Sequence, residues 1–209
     1  MHEFARLGVA TVYEASGRAG LIDIALHQIV PGSRVAGPAR TVRCGQGDNL
    51  MMHAVLATVQ PGEVLVLSMP EPAPVALVGE LLATQALAQK VAGLLIDASV
   101  RDVDELRALG LPIWARFIRV RGATRTTPGE INVPVEVGGA QVRPGDVVVM
   151  DADGAVVVAH ERADDVLAAA IAREKREADL RAKFQAGQLS IDIYGLREKM
   201  AALLNSAQS

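Results

Sequence analysis

Apolar runs and helix-like segments alternate through the middle of this chain, and this alternation constrains its fold more than any other feature. The apolar runs read VLVLS, GLLIDAS and LPIWARF, and the helix-like segments between them read GELLATQALAQKV and VDELRALG. Short apolar runs bounded by Gly or Pro are typical of buried strands, whereas apolar residues spaced by three and four are typical of helices. Strands that alternate with helices predict an α/β fold, in which a β-sheet is covered by helices on at least one face.

The pattern changes from Ile131 onward. The stretch INVPVEVGGAQVRPGDVVVMDADGAVVVA lacks helical spacing, and turn residues recur at Gly138-Gly139 and Asp153-Gly154, so β-hairpins are predicted there. From Glu161 the chain is predicted to be helical, but the second half of this long helix is too polar to cover a core alone. The sequence therefore predicts a core domain over residues 1–160 and a C-terminal helical extension over residues 161–209, which packs on the core or on a neighbouring subunit.

Capping residues predict two helix starts. Thr11 and Glu14 have the spacing of a capping box, which predicts a short helix from Thr11 to about Gly17. Asp48 or Asn49 is predicted to cap the helix that follows the segment GQGDN. That segment resembles a phosphate-binding loop but lacks the lysine that follows in a P-loop, so phosphate binding is not predicted.

Composition narrows the class of partner. The chain has 209 residues, of which half are hydrophobic, and this is enough for one substantial core. A net charge of −3 and the lack of any apolar run of transmembrane length predict neither a nucleic acid nor a membrane as partner.

The single cysteine, Cys44, cannot form an intrachain disulfide, which fits a cytoplasmic protein. The four histidines lie far apart in sequence, so any bound metal is predicted to be a hard ion held by oxygen.

Opposite charges stand side by side at Arg101-Asp102, where the predicted strand GLLIDAS gives way to the next helix. One interpretation is structural, with Asp102 as the helix cap and Arg101 as its ion-pair partner. The other is functional, because ligands of α/β folds collect at the carboxyl edge of the sheet. The dipeptide alone favours the structural interpretation, since Arg-Asp pairs are common.

Glu80 strengthens the functional interpretation. It follows Gly79 at a predicted helix start, and twenty residues separate it from Arg101. One helix and one strand fill that interval and return the chain to the same edge of the sheet, so Glu80 and the free N–H groups of Leu81 and Leu82 are predicted to face Arg101-Asp102. Unpaired N–H groups at a helix start form an anion site. The structural alternative is that Glu80 only favours the helix dipole and Gly79 only forms a turn.

These motifs resemble the class II pyruvate aldolases of the RraA-like family, in which an acidic residue, twenty residues and Arg-Asp follow one another. Further blocks are similar in the same order between about residues 9 and 197. They include ATVYEASGR, GDNLMMHAVL, GLLIDASVRDVDELRALGLPIWAR and LSIDIYGLR. The resemblance implies an RraA-like swivelling β/β/α domain with a C-terminal helical extension, assembled as a homotrimer or homohexamer.

The resemblance also implies site residues. Asp102 matches the ligand of a divalent metal, Mg or Mn, and Arg101 matches the residue that contacts pyruvate and steadies its enolate. Gly79, Leu81 and Leu82 match the substrate-binding segment, whose N–H groups hold the carboxylate.

Two acidic matches are less direct. Glu80 stands where the aldolases carry Asp, a residue that orients metal-bound water, and the extra methylene shifts its reach by about 1.5 Å. Glu177, with Glu174 as second choice, matches a glutamate that reaches the metal through water from a neighbouring subunit. The structural alternative for Glu177 and Glu174 is a solvated, salt-bridged helix face.

The implied function is cleavage of a 4-hydroxy-2-oxo acid to pyruvate and a second oxo acid. The substrate would be of the 4-hydroxy-4-methyl-2-oxoglutarate or 4-carboxy-4-hydroxy-2-oxoadipate type, and oxaloacetate decarboxylation would be a side activity. The alternative is a non-catalytic RraA-like regulator that binds a ribonuclease. Asp102 separates the two, because a Gln at this position would favour the regulator.

Two further features are predicted to be structural. His53 is expected to be packed or hydrogen-bonded rather than catalytic. The arginines between Arg119 and Arg125 could recognise a substrate carboxylate, but such a run is more often a solvated loop.

Overall fold

The computed structural model describes residues 1–206, and within them the chain forms eleven strands and eight α-helices. The strands are β1 (His27–Gln28), β2 (Val35–Arg43), β3 (Val64–Ser68), β4 (Ala76–Val78), β5 (Gly93–Val100), β6 (Ile113–Ile118), β7 (Glu130–Ile131), β8 (Val135–Val137), β9 (Ala140–Val142), β10 (Val147–Asp151) and β11 (Gly154–Val158). The helices are α1 (His2–Leu7), α2 (Val9–Ala15), α3 (Leu50–Val55), α4 (Glu80–Ala88), α5 (Val103–Leu109), α6 (Ala163–Gln185), α7 (Ser190–Ile193) and α8 (Leu196–Ser206).

One mixed sheet organises the first 170 residues. Its strand order is β1-β6-β5-β3-β2-β10-β11, with β4 added beside β5 and β7 beside β2, while β8 and β9 pair separately. The four central strands β2, β3, β5 and β6 are parallel, whereas β10 joins β2 antiparallel. The parallel strands are linked through α3, α4 and α5, which is the arrangement that the alternating apolar and helical segments predict. The predicted α/β class is confirmed.

The parallel strands bury both faces, so their apolar runs are nearly continuous. On one face, Leu67 and Ile96 pack with Met52 of α3 and Ala83 of α4. On the other face, alternate residues of the same strands pack against the β8–β9 hairpin and β10–β11. A third cluster joins α1 and α2 to the outer strands and to the start of α6.

The chain divides into two compact units, Met1–Ala170 and a second that begins at Ile171. The second unit contains the rest of α6 together with α7 and α8. Its own contacts include an ion pair between Arg197 and Asp192 and an edge-to-face contact between Phe184 and Tyr194, whose ring centres are 6.4 Å apart. Over residues 1–206, no helix is both long and apolar enough to cross a membrane.

One predicted helix start is wrong and one is confirmed. The helix predicted from Thr11 is α2, which begins at Val9, where the buried carboxylate of Asp151 accepts the Val9 N–H at 2.9 Å. This capping residue lies 142 positions away in sequence, so a local pattern does not reveal it. Asn49 is the N-cap of α3 as predicted, although the side chain that accepts the Leu50 N–H is that of Asp48, at 2.8 Å.

Candidate active site

Two chain segments meet at one edge of the sheet and form the base of a cleft. β4 and β5 are parallel neighbours, and the Arg101 N–H donates to the Val78 carbonyl at 3.1 Å. Each strand ends at this point, so Gly79 and Glu80 lie directly beside Arg101 and Asp102. The cleft has a volume of about 250 Å³. The residues that line it are Asn49, His53, Ala76, Leu77, Gly79, Leu81, Leu82, Gln85, Arg101, Asp102, Gly122, Ala123 and Arg125.

Asp102 adopts a left-handed backbone conformation, with φ 60° and ψ 46°. Such a conformation is uncommon outside glycine and is tolerated best by Asp and Asn. Asp102 precedes α5, but its carboxylate makes no capping hydrogen bond to that helix. Its Oδ2 instead accepts the Glu80 N–H of α4 at 3.1 Å. Within residues 1–206 no protein group donates to Oδ1, and two fifths of the side chain are exposed.

Arg101 lies against the same carboxylate and between two glycines. Its Nε is 3.5 Å from Asp102 Oδ2. A Cβ added to Gly79 would lie 3.0 Å from this Nε and 2.5 Å from Asp102 Oδ2, and one added to Gly122 would lie 3.3 Å from Arg101 Nη1. Gly79 has φ −128°, which any residue can adopt, so space rather than backbone conformation requires glycine here.

The first turn of α4 presents unpaired donors to the cleft. The N–H groups of Leu81 and Leu82 have no acceptor within the described residues, and the next N–H, that of Ala83, is bonded to the Gly79 carbonyl. The Glu80 carboxylate accepts the Thr84 hydroxyl at 2.7 Å and does not line the cleft. Glu80 therefore meets Asp102 through its backbone, while the N–H groups of Leu81 and Leu82 are available for an anion.

The opposite wall contains residues that sequence patterns did not assign to the site. Asn49 is the N-cap of α3, His53 lies in the last turn of that helix, and Arg125 follows β6, while Gln85 lines the cleft from α4, the helix that carries Leu81 and Leu82. The interval of four residues between Asn49 and His53 places them on one helix face, and this interval was the available sequence signal. His53 is exposed at the cleft, and Arg125 has no protein hydrogen-bond partner in the described part of the chain.

A buried carboxylate holds this wall together. Asp48 is fully buried and accepts the Thr124 hydroxyl at 2.7 Å and the N–H groups of Thr126 and Thr127 at 2.6 and 3.0 Å. Burial opposes ionisation of Asp48, but the hydrogen bonds, with that of Thr124 first, outweigh it and hold its pKa well below the usual range. Burial, with the nearby charge of Asp48, raises the pKa of Cys44 to about 12, so this thiol stays protonated.

Among the described residues, Asp102 is the one carboxylate that lines the cleft. Across residues 1–206, no group of three or more His, Cys, Asp or Glu side chains is arranged to hold a metal. Glu177 lies on α6 in the second unit, where it pairs with Arg173 at 2.8 Å, and Glu174 lies on the same helix. The predicted role of Glu177 stays a prediction.

Comparison with known proteins agrees with the fold and the motifs. The RraA-like family model, described as Aldolase/RraA, matches residues 9–157. A relative from Halalkalibacterium halodurans carries the name "Putative 4-hydroxy-4-methyl-2-oxoglutarate aldolase". It is 33% identical over 172 residues, which cover 82% of this chain and 80% of the relative.

Two solved structures are similar over different lengths. Streptomyces coelicolor RraAS2, described as an unusual member of the RNase ES inhibitor RraA protein family, is 32% identical with a TM-score of 0.77, covering 86% of this chain and 94% of that chain. The RNA-processing inhibitor RraA from Thermus thermophilis is 28% identical with a TM-score of 0.60, covering 66% and 82%. The extent of the family match and the identity to the curated relative confirm the resemblance seen in the motifs. This chain belongs to the RraA-like (Aldolase/RraA) family.

Proposed function

We propose that this protein is a divalent-metal-dependent class II aldolase. It cleaves 4-hydroxy-2-oxo acids, of the 4-hydroxy-4-methyl-2-oxoglutarate or 4-carboxy-4-hydroxy-2-oxoadipate type, to pyruvate and a second oxo acid. Oxaloacetate decarboxylation is a side activity, because it passes through the same pyruvate enolate. The name of the Halalkalibacterium halodurans relative supports this choice of substrate class.

One observation carries the proposal: the Asp102 carboxylate and the Arg101 guanidinium share a cleft with the unpaired N–H groups of Leu81 and Leu82. Donors at a helix start and a planar guanidinium suit a carboxylate and an adjacent oxo group. The Asp102 carboxylate would repel such an anionic ligand unless its charge were offset, and Arg101 lies beside Oδ2 while Oδ1 has no partner among the described residues. The combination therefore favours a cation and an oxo acid bound together.

The residues fit a hard divalent cation. Asp102 Oδ1 has no protein donor in the described residues, and a carboxylate oxygen is a ligand that Mg²⁺ and Mn²⁺ prefer. Mg²⁺ commonly takes only one or two protein carboxylates and leaves its other positions to water and substrate. This agrees with a cleft whose described lining includes a single carboxylate, that of Asp102.

The chain's own groups account for binding and charge stabilisation. The N–H groups of Leu81 and Leu82 hold the C1 carboxylate, and Arg101 donates to the C2 oxygen. During cleavage the C4 hydroxyl gives its proton to a water molecule, which acts as the base, and becomes a carbonyl, the C3–C4 bond breaks, and its electron pair forms the pyruvate enolate. Arg101 stabilises the negative charge that develops on oxygen, and protonation at C3 gives pyruvate. The cation held by Asp102 would supply Lewis-acid stabilisation of the same charge.

The assembly belongs to the same proposal. A homotrimer or homohexamer would allow Glu177 of one subunit to approach the metal site of a neighbour through water. Glu80 would orient such water only if its carboxylate left the hydroxyl of Thr84. The single cysteine is buried and free, which supports a location in the reducing cytoplasm.

Pyruvate release tests the function. The purified protein is incubated with each candidate 4-hydroxy-2-oxo acid and with oxaloacetate, first with EDTA and then with Mg²⁺ or Mn²⁺ in excess. We expect pyruvate only when the divalent metal is present. Full activity in excess chelator would contradict the metal requirement, and no pyruvate from any substrate would contradict the aldolase proposal.

A second candidate function is protein binding. The Streptomyces structure described as an RNase ES inhibitor family member supports it through 32% identity over most of this chain. Asp102, with an oxygen left free for a cation, favours the enzyme. Binding of a ribonuclease E-type enzyme by this protein, unchanged by Asp102→Asn and accompanied by no pyruvate release, would favour the regulator.

A further inference from the structure

We propose that the side-chain oxygen of Asn49 binds the C4 hydroxyl of the substrate and so makes the site selective for hydroxylated oxo acids. This inference rests on the proposed aldolase function and deepens it, because it assigns a residue to the substrate atom at which the bond breaks. Asn49 is a binding and positioning residue in this role.

Asn49 joins three segments that line the cleft. It is the N-cap of α3, its backbone N–H donates to the Thr124 carbonyl at 3.0 Å, and its Nδ2 donates to the Leu77 carbonyl at 3.0 Å. The Leu77 carbonyl can only accept, so it requires the amide nitrogen on its side. The side chain is therefore fixed with Oδ1 turned away from Leu77.

That oxygen has no partner. Asn49 is only 7% exposed, and its Oδ1 is buried without any hydrogen bond from the described residues. A buried acceptor left unsatisfied destabilises a fold, which makes it a candidate for a ligand group. Thr41 and Ser99 also bury a hydroxyl without a partner, but neither of them lines the cleft.

The chemistry of the other cleft groups selects what Asn49 can bind. Arg101, Arg125 and the N–H groups of Leu81 and Leu82 are all donors, and they match the carboxylates and the oxo group of the substrate. These substrate groups are acceptors only, because the acids are ionised at neutral pH. The C4 hydroxyl is the one donor in such a substrate, and Asn49 Oδ1 is the buried acceptor without a partner.

The two reactions of the proposed enzyme separate this role from a structural one. Aldol cleavage begins from a substrate with a C4 hydroxyl, whereas oxaloacetate lacks it, although both reactions reach the pyruvate enolate. An amide oxygen orients the hydroxyl without taking its proton, because an amide is not a base at neutral pH. Loss of Asn49 Oδ1 should therefore impair cleavage and largely spare decarboxylation.

The test compares Asn49→Ala with Thr124→Val. The second variant loosens the same wall by removing the hydroxyl that donates to Asp48, but leaves the Asn49 amide in place. With pyruvate release by the wild type established first, we expect Asn49→Ala to lower kcat/KM for cleavage about tenfold more than for decarboxylation. Thr124→Val should lower kcat/KM for cleavage and kcat/KM for decarboxylation by similar factors. An equal loss of both reactions in Asn49→Ala overturns the inference and leaves the aldolase proposal intact.

A measurement on the wild type covers the case in which Asn49→Ala does not fold. Two diacids with a hydroxyl in place of the C2 oxo group, one with and one without a hydroxyl at C4, cannot be cleaved and are compared as competitive inhibitors. We expect the C4 hydroxyl to tighten inhibition about tenfold, since it adds one hydrogen bond to an acceptor that is otherwise buried and unsatisfied. Equal inhibition by the two diacids overturns the assignment.

Discussion

The backbone N–H of Glu80 donates a hydrogen bond to Oδ2 of Asp102 at 3.1 Å. Asp102 therefore caps α4, a helix that begins 22 residues earlier in the sequence, and not α5, which it directly precedes. The contact joins the end of β5 to the start of α4, and Asp102 lines the same cleft as Leu81 and Leu82 of that helix. Asp102 can therefore have a structural and a functional role at once. Its Oδ2 caps α4, and its Oδ1 is left for a cation.

Replacement of Asp102 by Asn separates these roles. Asn has an oxygen that can accept the Glu80 N–H and tolerates a left-handed backbone, so we expect the free energy of unfolding to fall by about 1 kcal/mol or less. The charge that would hold a divalent cation is lost, so turnover should fall by orders of magnitude. Urea unfolding and steady-state pyruvate release measure the two effects. Near-normal turnover in Asp102→Asn would contradict a role of this carboxylate in holding the metal.

Arg101→Lys tests the guanidinium. Lysine retains the charge but loses the planar fork that donates two hydrogen bonds to a carboxylate or enolate, so we expect a large decrease in kcat. Binding of Mn²⁺, measured by electron paramagnetic resonance, should be nearly unchanged because Asp102 remains. Arg119→Lys is the matched control, since Arg119 donates to the Ile118 carbonyl and does not line the cleft. Equal activities of the two variants would contradict a role for Arg101 in charge stabilisation.

Gly79→Ala tests the space around the charged pair. The added methyl would lie 2.5 Å from Asp102 Oδ2, so the carboxylate must move, and displacement of reacting groups by about 1 Å can lower activity about 100-fold. Gly122→Ala is the graded control, because its methyl would meet only the flexible end of Arg101 at 3.3 Å. We expect a loss below about tenfold there, with circular dichroism of both variants unchanged. A larger loss of activity in Gly122→Ala than in Gly79→Ala would show that Gly79 is not required for spacing.

The base of the cleft was predictable because it depends on chain topology alone. One helix and one strand separate Glu80 from Arg101, and parallel strands end at the same edge of a sheet, so the two segments meet wherever such a unit forms. The direction of each side chain was not predictable. The left-handed backbone of Asp102 turns its carboxylate toward α4, and the Thr84 hydroxyl draws the Glu80 carboxylate along its own helix.

The opposite wall depends on contacts between distant parts of the sequence. Asp48 and Thr124 are 76 residues apart, and their hydrogen bond brings the segment that carries Arg125 to the start of α3. No local pattern around GQGDN or RGATRT contains this pairing. The sequence alone therefore indicates only a helix cap at Asn49 and a solvated loop at Arg125, although both residues line the cleft.

Asp48→Asn should destabilise the protein at neutral pH. The folded chain holds the pKa of Asp48 well below the value of 3.8 expected without these contacts, because the Thr124 hydroxyl and three backbone N–H groups favour the charged form over the penalty of burial. Asn cannot accept all four of these hydrogen bonds, since its NH₂ group is a donor. We expect the free energy of unfolding at pH 7 to fall by about 2 kcal/mol and kcat/KM to fall with it, because Arg125 is no longer held.

The stronger test is how the difference in the free energy of unfolding between wild type and Asp48→Asn depends on pH. A carboxylate with a lowered pKa in the folded state contributes stability that is complete above its unfolded pKa and is lost as the pH falls through the folded pKa. The difference between wild type and Asp48→Asn should therefore be constant from about pH 5 to pH 8 and shrink below about pH 4. Asp104→Asn, which removes an exposed carboxylate with a side chain 91% exposed, should change stability by less than about 0.5 kcal/mol throughout. Urea unfolding at each pH measures both variants, and a difference for Asp48→Asn that grows as the pH falls would contradict an ionised, hydrogen-bonded Asp48.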